Sequence, residues 1–265
     1  MNILGNFTLA MLVLLLAPAK QTFADILISN GLTHEYRLTA GQKATGSIHL
    51  VNASKEIKSA RLYQTDYFFN HQGESRYDPP GTLTRSNAAW INVSQLFVTL
   101  QPGEERVVEF EINLPSADTL KGTYWSVIMA EGLNAPDPGK VQQGISINTV
   151  LRYAVQIITH IEDSGERNLE FESMKLVGDA DARNLEVNIK NTGERGLRPN
   201  MILELFNEQG LSQGFFRTDP KRIYPGTSAK FLVPVTGIST GNYSGVLIAD
   251  CEDDYLFGTN ISIEF

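Results

Sequence analysis

Ile145-Ser-Ile-Asn-Thr-Val-Leu-Arg-Tyr-Ala-Val-Gln-Ile-Ile-Thr-His-Ile161 reads as two interleaved rows. One row is Ile145, Ile147, Thr149, Leu151, Tyr153, Val155, Ile157, Thr159 and Ile161; the other includes Ser146, Asn148, Arg152, Gln156 and His160. A period of two over this length predicts an extended strand with one apolar face. Ordinary strands run about 5–6 residues, so this one reaches past its own sheet. Its overhang can offer an apolar row and free backbone groups to a partner. Such an edge promotes aggregation, and a chain that keeps one has a use for it.

On either side of this run the chain repeats one β pattern. The first copy reads Gly46-Ser-Ile-His-Leu-Val-Asn52, then Leu100-Gln-Pro-Gly103, then Gly122-Thr-Tyr124 leading into Val127-Ile-Met-Ala-Glu131. The second reads Leu185-Glu-Val-Asn-Ile-Lys-Asn191, then Tyr224-Pro-Gly226, then Gly241-Asn-Tyr243 leading into Val246-Leu-Ile-Ala-Asp250. The order is conserved between the copies, so the chain carries an internal duplication of an all-β unit. Each Asn ends an alternating strand, where its side chain can start an Asx turn. Each Pro-Gly supplies a tight turn. Gly-x-Tyr before an apolar strand is similar to the tyrosine corner of immunoglobulin-like sandwiches, in which the hydroxyl bonds nearby backbone.

The fold expected is all-β: two tandem immunoglobulin-like β-sandwich domains after a signal peptide. Leu9 to Ala19 is apolar and Thr22-Phe23-Ala24 offers small residues at the positions a signal peptidase reads, although no Lys or Arg precedes the apolar run. Residues 1–24 are therefore expected to be removed. The first domain is expected over 25–161, a polar linker over 162–168 and the second domain over 169–265. First-domain strands are expected at Ile26–Leu38, Ala44–Asn52, Ser59–Phe69, Phe97–Leu100, Arg106–Leu114, Thr123–Glu131 and the long final run. Two long loops are expected, His71 to Ala89 and Gly132 to Gln143.

The formal net charge of −8 argues against a nucleic-acid partner, which favours a basic stripe. No later segment approaches the ~20 apolar residues of a membrane span, so a soluble mature form with no membrane insertion is expected. The single cysteine, Cys251, leaves no internal disulfide; it reads as a small residue at a strand end, between two carboxylates that disfavour a thiolate.

The first domain resembles the periplasmic pilus (fimbrial) chaperones of the PapD-like superfamily. The resemblance is carried by the strand closing on Asn52, a central Tyr67, the Leu100-x-Pro-Gly103 turn, Glu105-Arg106-Val107-Val108 leading to Ile112-x-Leu114-Pro115, Tyr124-Trp125, a Pro-rich loop and the long last strand. It implies donor-strand complementation: a strand lent to an incomplete fibre subunit, with alternate side chains filling the groove where the subunit lacks one. The implied donors are Ile145, Ile147, Leu151, Tyr153, Val155 and Ile157. The resemblance also implies two basic residues in the cleft between domains that hold the subunit's C-terminal carboxylate. Arg152 is expected as one, on the face opposite the donors. The other position falls on Tyr36, with Arg37 its neighbour, so that Arg37 serves only through a bulge or a slip of one residue. A periplasmic protein with a fibre or pilin-like subunit as partner follows from the resemblance. The alternative is an exported immunoglobulin-like module that recognises a surface protein or glycan. A homodimer pairing the long strands lies between the two readings.

No catalytic constellation is evident, no enzyme activity is expected, and no cofactor or metal is implied. His34, His49, His71 and His160 share no metal-ligand spacing. Asp250, Glu252, Asp253 and Asp254 lack the EF-hand spacing and read as a solvated turn. Trp90, Trp125, Tyr67, Phe68 and Phe69 can line a sugar-binding face, but residues of this kind more often form a sandwich core.

Overall fold

A computed structural model describes residues 25–133, 150–179, 182–251 and 255–265. The strands are β1 (Ile26–Ile28), β2 (Thr33–Leu38), β3 (Lys43–Asn52), β4 (Lys58–Phe69), β5 (Ser75–Asp78), β6 (Ile91–Val93), β7 (Phe97–Leu100), β8 (Glu105–Asn113), β9 (Gly122–Leu133) and β10 (Arg152–Ile161). After a break follow β11 (Leu169–Val177), β12 (Asn184–Asn191), β13 (Asn200–Phe206), β14 (Ser212–Arg217), β15 (Ser228–Pro234), β16 (Asn242–Asp250) and β17 (Leu256–Glu264). The first ten form one sheet of order β1-β3-β8-β6 and a second of order β2-β10-β9-β4-β5, with β7 also on β4. The others form sheets of order β11-β12-β15 and β14-β13-β16-β17. The molecule is thus two immunoglobulin-like β-sandwiches.

Each sandwich closes over its own core. Ile48, Leu50, Leu62, Val108, Ile112, Ile128, Val155 and Ile157 meet in the first, and Val187, Ile189, Leu203, Phe231, Val233 and Leu247 in the second. They are alternate residues of their strands, as period two requires. Burying each contributes about 1.5–3 kcal/mol.

The duplication is reproduced in the main hydrogen bonds of its two capping asparagines. Asn52 Oδ1 accepts from the Ser54 N–H at 3.0 Å, and Asn191 Oδ1 from the Gly193 N–H at 3.0 Å. Asn52 Nδ2 donates to the Glu56 and Leu100 carbonyls; Asn191 Nδ2 donates to those of Arg195 and Ile223. The Gly103 N–H bonds the Asn52 carbonyl at 2.9 Å, and the Gly226 N–H bonds that of Asn191 at 2.8 Å. Each Asn ties its strand end to the Pro-Gly turn opposite. The tyrosines depart from the expected corner. Tyr124 packs its ring on Trp90 at 4.7 Å and Tyr243 packs edge-on against Phe265 at 5.3 Å, with no corner hydrogen bond among the described residues.

Two strand expectations are corrected. Ile26–Leu38 is divided between sheets: β1 pairs with β3, while β2 pairs in parallel with β10. The switch is made at Gly31, whose φ of 89° suits glycine. The stretch His71 to Ala89 is no plain loop, because β5 folds back on β4 and stacks Tyr77 on Tyr67 at 5.1 Å. Of the expected loop Gly132 to Gln143, Gly132 and Leu133 belong to β9 and the rest lies outside the described residues.

Candidate functional site

Three places matter: the free half of β10, the contact between the sandwiches, and the cavity beside that contact.

Strand β10 is divided in its exposure. Gln156 to Ile161 pair with β2 on one side, and the whole strand pairs with β9 on the other. The first residue of β2 in this register is Thr33, opposite Gln156. From Arg152 to Val155 the β2-side edge therefore has no neighbour among the described residues. The Leu151 carbonyl accepts from Gly132 on β9, whereas the Gln156 N–H points to Leu32. By alternation, the N–H and C=O groups of Arg152 and Ala154 point to the open side.

The expected donors fall into three groups. Ile145 and Ile147 lie outside the described residues. Leu151 is 46% exposed just before the strand, and Tyr153 is half-buried against the first core. Val155 and Ile157 are fully buried in that core. The last two already serve their own sandwich, which removes them from the donor set.

Arg152 is not in the cleft. Its Nε lies 3.1 Å from Glu131 Oε2, an oxygen shared with Arg61 Nη2 at 3.1 Å and the Tyr63 hydroxyl at 3.1 Å. The second sandwich follows the other end of β10, near His160. Eight residues at about 3.3 Å each separate the two positions. A strand end that begins far from the junction cannot supply a residue to it.

The junction is built from aromatic rings. Trp125 on β9 stacks on Tyr224 of the second sandwich, with centroids 4.5 Å apart and planes 10° from parallel. Both are almost fully buried, together with Ile158 and beside Tyr67, Phe69 and Leu83. The Trp125 indole N–H donates to the Tyr67 carbonyl at 2.8 Å, and the Tyr224 hydroxyl donates to Gln156 Oε1. Burial pushes the Tyr224 phenol well above its ordinary value. Trp125 is interior, which removes it from a sugar-binding face, while Tyr67 and Phe69 are half-buried against it. Arg195, 5% exposed, clamps the linker by donating to the carbonyls of Glu162 at 2.8 Å and Ser164 at 3.3 Å. Gly122 and Gly165 meet so closely that a Cβ on Gly165 would lie 2.5 Å from the Gly122 Cα. The linker thus holds a fixed path.

Beside the stack lies a cavity of about 320 Å³ between the sandwiches. Arg37 and Glu35 reach it from β2, His160 from β10, Arg195 and Arg198 from the segment after Asn191, and Arg222 from the segment before β15. Glu35 receives a bond from Arg222 Nη1 at 3.2 Å and contacts His160 Nε2 at 3.2 Å. The hydrogen bond from His160 and the charge of Arg222 hold its carboxyl at about 2, against an ordinary 4.5. Arg37 and Arg198 are exposed and make no ion pair among the described residues. Two exposed guanidinium groups in one polar cavity suit a carboxylate, which an Arg fork binds through paired N–H donors, and Arg37 already draws on the Asp163 carboxylate. Arg37 and its neighbour Tyr36 both line this cavity. Arg198, Arg222 and Glu35 are functional candidates that sequence reasoning missed. The duplication held a signal: four residues beyond the capping Asn stands Glu56 in the first copy and Arg195 in the second, followed by Arg198.

The acidic groups give the junction a pH dependence. Arg167 lowers the Asp163 carboxyl, and Lys121 lowers that of Glu194, in the same direction as Glu35. A carboxyl held below its ordinary value stabilises the folded chain fully above that value. The contribution of Glu35 is lost as pH falls from 4.5 through about 2. The expected result is a larger fall in melting midpoint between about pH 7 and about pH 3 for the native chain than for Glu35→Gln. Equal falls would show that Glu35 adds nothing to acid sensitivity.

No protein-family model matches the chain, and no curated protein matches it. Solved structures do. A chain from a structure of a chaperone–tip adhesin complex in CFA/I fimbriae biogenesis has a TM-score of 0.52 at 16% identity, covering 89% of this chain and 98% of that one. The class 5 fimbriae chaperone CfaA has a TM-score of 0.49 at 15% identity, with coverage of 89% and 98%. The CsuC–CsuE pre-assembly complex of archaic Csu pili from Acinetobacter baumannii contains a chain with a TM-score of 0.43 at 13% identity, covering 91% and 98%. In its two sandwiches this chain has the fold of the PapD-like fimbrial chaperones.

Proposed function

We propose that the protein is a periplasmic chaperone, or assembly factor, for subunits of fimbria-like surface fibres, and that it acts by donating a strand. The observation that carries this reading is the open edge of β10 from Arg152 to Val155, with exposed Leu151 at its start. A partner strand laid along that edge pairs with free backbone groups, and Leu151 and Tyr153 extend their apolar row toward it. The described structure that shares the fold is a chaperone–tip adhesin complex, which supports a fibre subunit as the partner. The cavity lined by Arg37 and Arg198 fits the carboxylate end of such a subunit. The mechanism needs no chemistry beyond these contacts: the edge supplies pairing, the apolar row supplies burial, and the arginines set the register.

Leu151→Glu tests the reading. The substitution puts a charge into the donated row, where burial of an unpaired carboxylate is costly. Tagged native and variant chains are used to capture partners from an envelope extract of the host, which are identified by mass spectrometry. A small β-rich secreted subunit recovered by the native chain and reduced at least about tenfold with the variant is expected, equivalent to 1.4 kcal/mol. Equal recovery by a folded variant would move recognition to the loops of an immunoglobulin-like binding module.

A further inference from the structure

The edge strands differ sharply in how they are guarded. β1 and β6 have three residues each, and β5 and β7 four each. β2 carries Glu35 and Arg37, and β15 carries Lys230 and ends on Pro234. β11 has a register shift at Phe171/Ser173, and β14 has one opposite Leu205/Phe206 with Gly214 at a φ of 117°. Short length, charge, proline and bulges are the usual protections of an edge. β17 has none of them over most of its length. It is nine residues long, pairs with β16 without a shift, and bears a charge only at Glu264. Among the described residues it is the outer strand of its sheet.

The free groups of β17 can be assigned. The Cys251 N–H bonds the Tyr255 carbonyl at 3.0 Å, and Gly241 and Phe265 exchange both bonds, at 3.1 and 2.9 Å. Odd-numbered residues therefore bond to β16, and even-numbered ones point outward, by the alternation of an antiparallel ladder. The outward set is Leu256, Gly258, Asn260, Ser262 and Glu264, all exposed. Their backbones contribute one donor and one acceptor each; the Asn260 carbonyl has only a long contact from the Thr259 hydroxyl at 3.4 Å.

We infer that β17 is a self-association edge, and that its occupant is β17 of a second copy, antiparallel about a two-fold axis at Asn260. The outward set is centred on that residue. Asn260 then faces Asn260 of the second copy, Gly258 faces Ser262, and Leu256 faces Glu264, so every outward N–H and C=O finds a partner in one register. On the core side, Phe257 comes opposite Ile263 and Thr259 opposite Ile261. No like charges meet. Two four-stranded sheets become one of eight. A single strand seam is smaller than the ~1,200–2,000 Å² of a stable interface, so the dimer is a weak one. It leaves β10 untouched, and its Leu256 end adjoins Tyr255, which lines the arginine cavity.

The test is sedimentation of the full mature chain from about 1 μM to about 1 mM, together with cysteine cross-linking. The expected result is a mass rising from monomer toward dimer. Asn260→Lys, which places two ammonium groups across the axis on the solvent face, is expected to weaken association at least about tenfold. Asn260→Cys is expected to form a disulfide-linked dimer, because a bonded antiparallel pair has Cα atoms about 5.5 Å apart, within disulfide range. Ser262→Cys is expected not to, since its sulfurs are offset along the strands. A monomer throughout, a dimer unchanged by Asn260→Lys, or equal cross-linking at 260 and 262 would each overturn the proposal.

Discussion

Tyr224→Ala is expected to lower the melting midpoint by roughly 6–20 °C and to increase the radius of gyration. Tyr224 is 1% exposed and lies flat on Trp125, with Phe69 edge-on at 6.0 Å. Truncating a buried aromatic ring to alanine costs about 3–5 kcal/mol, and about 1 kcal/mol shifts the midpoint by ~2–4 °C in a chain of this size. The loss falls on the junction: without the ring, Trp125 faces a void and Gln156 loses its bond. Tyr224→Phe keeps the stack and removes only that bond, at about 0.5–1.5 kcal/mol. Scanning calorimetry and small-angle scattering of the three chains decide the matter. If Tyr224→Ala melts within about 2 °C of the native chain, the stack does not join the sandwiches.

The second large effect is expected at the cleft. A strand peptide ending in a free carboxylate should bind at least about tenfold more tightly than its amide, because hydrogen bonds to a charged group contribute about 1.5–3 kcal/mol. Reversing both exposed cations, Arg37→Glu with Arg198→Glu, should abolish that preference. The carboxylate that Arg37 acts on, Asp163, is exposed and also held by Arg167, so losing the two cations leaves no buried carboxylate without a partner. Arg152→Glu should leave the preference intact, since Arg152 is engaged by Glu131 at the other end of β10. Fluorescence anisotropy with both peptides separates the outcomes. Equal affinity for acid and amide in the native chain would remove the carboxylate role of the cavity, and a preference retained by the double variant would place it on other residues.

Strand positions were legible wherever they depend on local alternation. β3, β4, β7, β8 and β9 fall within one or two residues of where the sequence places them, because period two and Pro-Gly turns act over a few residues. β5 was not legible. Ser75-Arg-Tyr-Asp78 has no apolar row, and its extended form comes from pairing on β4. The split of Ile26–Leu38 was hidden for a related reason: alternation specifies a strand but not which sheet it joins. The site was legible only in part. Leu151 and Arg37, both named from the sequence, are exposed, whereas Val155 and Ile157 share Leu151's alternation and differ from it only in what covers them.

The sequence by itself determined two all-β units, their duplicated Asn and Pro-Gly turns and an apolar row near the end of the first. These follow from side-chain period and turn geometry, which neighbouring residues set among themselves. Only the tertiary structure decided that Arg37 and Arg198 line one cavity, that Trp125 lies on Tyr224, and that Arg152 pairs with Glu131 instead. Those contacts join residues far apart in the chain. They depend on how two sandwiches dock and on which end of β10 meets the second, and no local pattern encodes either.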